Sequence, residues 1–187
     1  KKWSLKRLLT WKYRDGNIVI FSPLNFIPAY TFLSKLHVRL IRNLSNRIFN
    51  KSNKTLLWIY NVEISGLENY IENLDYDLLV YDCVDNYAGF PKYDTAEKKA
   101  IINNHEEYLA KKADIVFATA PGLVDKLSRI NKNTHYTPNV GDYDLFFDVR
   151  HKNETLPDDL SSIPKPIIAF TGAIDEYKFD RPLMRKI

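Results

Sequence analysis

Five short apolar runs punctuate the chain: Asn-Ile-Val-Ile-Phe at 17–21, Thr-Leu-Leu-Trp-Ile-Tyr at 55–60, Asp-Leu-Leu-Val-Tyr at 77–81, Asp-Ile-Val-Phe-Ala at 114–118 and Pro-Ile-Ile-Ala-Phe at 166–170. They are continuous rather than alternating, which predicts parallel strands covered on both faces. A shorter strand is expected at 134–137. Helical patterns lie between them. Residues 30–50 place Leu33, Leu36, Leu40, Leu44 and Ile48 on one stripe. Residues 94–112 predict a second long helix, opened by Asp94 with Glu97 three residues later, the spacing of a capping box. A third is expected from Pro121, a residue suited to a first helical turn, to Ile130. Strand alternating with helix predicts an α/β domain with a doubly wound, Rossmann-like parallel sheet.

A polar stretch, His151-Lys152-Asn153-Glu154-Thr155, runs toward Pro157, and Pro164 and Pro166 precede the last apolar run. That composition suits a linker. The expected organisation is therefore one domain over 1–147, a linker over 148–165, and the start of a second domain over 166–187. The chain begins with Lys rather than Met and ends in what reads as the opening of a helix. It is accordingly read as a fragment of a longer protein.

Composition adds three points. No run approaches the ~18 apolar residues of a membrane span. The single cysteine, Cys83, excludes an internal disulfide, and no Cys/His cluster suggests structural zinc. Charge is segregated: Lys1–Lys54 carries twelve Lys and Arg against one acid, Asp15, whereas from Thr55 onward fifteen stand against twenty-two. Such asymmetry predicts a surface that meets an anionic partner. No nucleic-acid recognition motif accompanies it, so an anionic membrane surface is the expected partner, met by Lys35, Arg39 and Arg42, and nucleic acid is not.

Chemistry is sought at the carboxyl ends of the strands, where open α/β sheets bind ligands. Asp82-Cys83-Val84-Asp85-Asn86 follows the 78–81 strand directly. Two carboxylates there are candidates for acid/base work, against the plainer alternative that one caps a helix and the other takes a backbone hydrogen bond. Pro138-Asn139-Val140-Gly141-Asp142 is turn-rich, and Phe170-Thr171-Gly172-Ala173 ends a strand at a glycine where a phosphate could approach backbone N–H groups. His37, His105, His135 and His151 are scattered and form no catalytic spacing.

Taken in order, these pieces resemble one family. Val80-Tyr81-Asp82-Cys83-Val84-Asp85-Asn86 is similar to the "VYDCVDD" segment of bacterial group 1 (family 4-like) glycosyltransferases of the teichuronic-acid and exopolysaccharide type. Glu107 with Ala113 through Leu123, then Pro138-Asn139 with Asp144 and Phe146, then Pro166 through Ala173 follow in matching order. The resemblance implies the N-terminal domain of a GT-B enzyme, two Rossmann-like domains facing across a cleft, with its first strand upstream of Lys1. It further implies a nucleotide-sugar donor, a glycan or lipid-linked acceptor in cell-envelope polysaccharide synthesis, and a place on the cytoplasmic face of the membrane. No cofactor and no catalytic metal is expected. Asp85 is the candidate catalytic residue, standing in a position similar to the histidine of related enzymes. Asp82, Asn86, Tyr87, Asn139, Gly172 and Ala173 are the candidate substrate contacts.

The chain departs from the family in three places: Asn86 where Asp is common, Ala120 where Ser is common, and Val140-Gly141 where the glycine usually comes first. Two alternatives therefore stay open, a nucleotide-sugar epimerase and a non-catalytic glycan- or lipid-binding partner on the same fold.

Overall fold

Three of the apolar runs, together with the shorter strand expected at 134–137, build one sheet. The computed structural model describes residues 12–16, 18–21, 31–48, 53–151 and 157–186. Strands β3 (Leu56–Ile59), β4 (Leu78–Cys83), β5 (Ile115–Ala118) and β6 (Thr134–Tyr136) lie side by side in chain order, every neighbour parallel. Parallel neighbours need crossovers. Three helices supply them: α2 (Leu67–Asn73), α3 (Ala96–Lys112) and α4 (Pro121–Leu127). This is an α/β, Rossmann-like arrangement of a parallel sheet with flanking helices.

The run at 17–21 does not join this sheet. There β2 (Ile18–Phe21) pairs antiparallel with β1 (Lys12–Asp15) in a two-stranded ribbon turning at Gly16. Five residues of apolar sequence cannot tell the two pairings apart. The run at 166–170 forms no strand at all. Helix α1 spans Thr31–Ile48, inside the expected bounds. Helix α2, by contrast, was not expected from the pattern; it is short and opens at Gly66, whose φ of 68° favours glycine. Helix α3 is capped one residue later than the Asp94 expectation: Thr95 accepts from the Lys98 N–H at 3.2 Å, while Asp94 pairs with the Lys98 ammonium at 2.8 Å.

The core lies between the sheet and its helices. Ile59, Leu79, Tyr81, Cys83, Val116 and Ala118 meet Leu67, Ile71, Ile102, Leu109, Leu123 and Leu127. Period-two alternation sends Trp58, Asp82, Phe117 and His135 to the opposite face. That face is aromatic and partly open: Trp58 is 48% exposed and stacks on Phe117 at 5.7 Å, with Leu56 and Tyr60 exposed beside it. Side-chain amides and carboxylates tie the helix ends to the strands. Asn131 donates to the carbonyls of Ala110 and Ala113 at 2.9 and 2.6 Å, and Asp114 accepts the Leu79 N–H at 2.7 Å.

Helix α1 packs on α2. Val38 is buried there, and His37 meets Tyr70 edge-on, Nδ1 lying 2.5 Å from the Tyr70 hydroxyl. Nε2 of His37 is buried without a partner. Burial lowers the pKa of His37 below 6.5, so the folded state disfavours its charged form. The stability this contributes is complete above about pH 6.5 and is lost as pH falls through the lowered folded value. Urea unfolding at about pH 7.5 and pH 5 is expected to show that loss, and His37→Phe to remove this part of it. An identical pH dependence in the variant would mean that the ring does not titrate against folding.

The chain divides into two compact units, Lys1–Pro138 and Asn139–Ile187. The second unit holds α5 (Tyr143–His151), α6 (Asp158–Ser161) and α7 (Arg181–Met184), and none of its described side chains is buried.

Candidate functional site

The loops that leave the carboxyl ends of β3 and β4 carry Glu63, Asp85, Asn86 and Tyr87. From β4 the chain passes Asp82, still in the strand and half-buried, to Asp85 and Asn86, both exposed. The Trp58 indole N–H donates to Asp82 Oδ2 at 3.1 Å, tying this carboxylate to the neighbouring strand. Asp85 lies past the strand end, where its carbonyl accepts from the Tyr87 N–H at 3.1 Å and its side chain stands in solvent. The two carboxylates thus have different environments: one is anchored, the other open.

Tyr87 is 8% exposed, and its hydroxyl donates to the Tyr60 carbonyl at 2.9 Å, crossing from the β4 loop to the β3 loop. The expected substrate contact is thereby a core ring whose polar end is already engaged. Burial raises its pKa first, and the negative charges of Glu63 and Asp85 raise it further.

Glu63, from the β3 loop, accepts from the Tyr93 hydroxyl at 2.6 Å and pairs with Lys92 at 2.6 Å. Burial pushes its carboxyl up, but the hydrogen bonds from Lys92 and Tyr93 and the Lys92 charge outweigh this and hold it below the ordinary value. Tyr93 is pushed up to about 12, by burial and then by Glu63. Lys92 Nζ also lies over the rings of Tyr93 and Phe90, at 5.3 and 5.8 Å. From β5, Thr119 reaches across to donate to the Val84 carbonyl at 2.9 Å, fixing the loop that carries Asp85.

Glu63, Lys92, Tyr93 and Thr119 were not singled out in the sequence. One signal was there: Glu63 follows β3 much as Asp85 follows β4. The pairing of Glu63 with Lys92 and Tyr93 has no local pattern that could announce it.

Asn139, Gly172 and Ala173 belong to the second unit and are exposed. A Cβ on Gly172 would come within 3.1 Å of the Phe170 ring, so the glycine serves a close approach there. Lys35, Arg39 and Arg42 lie on α1 and not among the strand-end loops. Among the described residues no group of three His, Cys, Asp or Glu could hold a metal ion, and no helix is long and apolar enough to cross a membrane. Cys83 is buried, and burial pushes its thiol up to about 11, which makes it a core residue rather than a nucleophile. The chain matches no protein-family model, no curated protein and no solved structure.

Proposed function

We propose that this chain is the acceptor-side, N-terminal domain of a GT-B-type glycosyltransferase, which moves a sugar from a nucleotide donor to a cell-surface glycan or lipid-linked acceptor. The observation that carries the reading is the open carboxylate of Asp85 at the end of a parallel strand. Its loop is braced from both sides, by Tyr87 onto Tyr60 and by Thr119 onto Val84. A sugar hydroxyl is a poor nucleophile, and its attack is helped by a carboxylate that accepts its proton or its hydrogen bond. Asp85 supplies that group. Asn86 stands exposed beside it to orient the acceptor, and Asp82 supports the strand end through Trp58. The leaving nucleoside diphosphate needs charge stabilisation from N–H groups or cations, a task that enzymes of this architecture give to their donor-binding domain.

The test is turnover by the full-length protein against a panel of nucleotide sugars, following nucleoside diphosphate release with and without a lipid-linked acceptor. Release that depends on acceptor supports the reading. Interconversion of donor sugars without release would replace it with an epimerase. Glycan binding with no turnover of any donor would replace it with the non-catalytic partner. One observation favours that last reading over the epimerase: Ala120, where serine is common in the family, leaves α4 without a side-chain cap at its N-terminus.

A further inference from the structure

Helix α1 is amphipathic in a way that its packing does not use. Eighteen residues give it a length of about 27 Å. Among its described side chains only Val38 is fully buried, with His37, Ile41 and Leu44 half-buried. Two leucines of the expected stripe stay largely in solvent: Leu36 is 56% and Leu40 46% exposed. Lys35, Arg39 and Arg42 lie on a different part of the helix surface. At spacings of four and three they form the adjoining row, between the leucines and the buried edge.

That row opens into a groove of about 350 Å³ between α1 and α2, walled on the far side by Asn69, Glu72 and Asn73. The acids nearby offset little of the charge. Glu72 accepts from the Tyr108 hydroxyl at 2.9 Å, and Asp75 reaches Arg42 only at 3.9 Å with both side chains exposed. Lys35 and Arg39 have no acidic partner within ion-pair distance among the described residues.

We propose that α1 is an interfacial docking helix for an anionic lipid surface, with Leu36 and Leu40 entering the acyl boundary and Lys35, Arg39 and Arg42 taking lipid phosphates. A helix lying in the plane of a bilayer meets both phases at once, and its binding strength sums buried apolar area and attraction to anionic headgroups. Nucleic acid would use the cations and leave the leucines in water. The cation excess of Lys1–Lys54, twelve against one acid, has the sign that such a surface attracts. This inference stands on α1 alone and does not rest on glycosyl transfer.

Co-sedimentation of the full chain with phosphatidylcholine vesicles, with and without phosphatidylglycerol, tests it by binding alone. The wild type is expected to pellet with the anionic vesicles only. It should be released as salt shortens the screening length from about 10 Å at 0.1 M to about 3 Å at 1 M. Lys35→Glu with Arg39→Glu is expected to lower partitioning about tenfold or more. Leu36→Ser with Leu40→Ser should also lower it about tenfold, with an unchanged urea midpoint because both side chains are exposed in the fold. Lys35→Gln with Arg39→Gln, which removes charge without reversing it, should fall between wild type and the Glu pair. Equal recovery on neutral vesicles would overturn the proposal. So would binding that the leucine pair leaves untouched; if single-stranded RNA then competes, the partner is nucleic acid.

Discussion

Replacing Lys126 by methionine is expected to destabilise the first unit by about 3–5 kcal/mol. The reason lies on α3. Its buried stripe runs Ile102, Glu106, Leu109, Ala110, so a carboxylate occupies a position the helix periodicity reserves for an apolar side chain. Glu106 is 2% exposed, and its compensation is one ion pair, Oε2 to the Lys126 ammonium at 2.8 Å. Its other oxygen is buried with no partner, as is the Tyr81 hydroxyl. Breaking a buried pair from one side leaves an uncompensated charge, whereas replacing both partners with apolar groups is often neutral. Glu106→Leu with Lys126→Met should therefore recover most of what the single variant loses. Urea unfolding of the wild type, both singles and the double measures it. A loss below about 1 kcal/mol in Lys126→Met, the scale of an exposed pair, would mean that solvent reaches the carboxylate.

The same pair marks how far the sequence can be read. Strands β3 to β5 were legible because a parallel strand that packs against a core leaves a continuous apolar run, and β6 only as a short strand of Thr, His and Tyr. Helix α3 was legible because its stripe is long. Glu106 hides inside that stripe, since nothing local says whether a glutamate at a core position faces inward or which lysine will reach it. The N-terminal ribbon and the 166–170 run share the apolar signature of β3 and β4, but the signature carries no information about pairing partners, and only tertiary context separates them. Helix α2 was missed because seven residues span too few turns for a period to emerge. On α1 periodicity shows which leucines share a stripe, not how much of it meets the domain: Leu44 is half-buried while Leu36 and Leu40 are exposed.

At the candidate site, position was legible and environment was not. That Asp82 and Asp85 stand at a strand end follows from the run before them. Which one is open depends on Trp58, twenty-four residues before Asp82 in the chain and brought alongside by β3–β4 pairing. Tyr87 looked like a ligand contact for the same reason that Asp85 did, adjacency to the strand end, yet the short turn at Tyr87–Gly89 rotates its ring into the core.

Asp85→Asn in the full-length protein is expected to cut turnover by about 100-fold or more while leaving the fold intact, the scale of a lost general base. Asparagine keeps the size and one hydrogen-bond acceptor but cannot take a proton. The change thus separates proton transfer from simple contact. Asp85 is exposed and its side chain holds no other part of the chain, so the unfolding midpoint should not move. Asp82→Ala gives the opposite pattern: it removes the acceptor of the Trp58 indole N–H and should cost about 1 kcal/mol of stability, with a smaller effect on turnover. If the carboxylate only binds the acceptor, Asp85→Asn should raise KM and leave kcat largely unchanged. If it takes the proton, kcat should fall at saturating acceptor, because the interaction lost is one made in the transition state. Turnover unchanged in both terms would remove Asp85 from the mechanism. Glu63, the carboxylate in the loop after β3, would not replace it by default, since Lys92 and Tyr93 already occupy its oxygen.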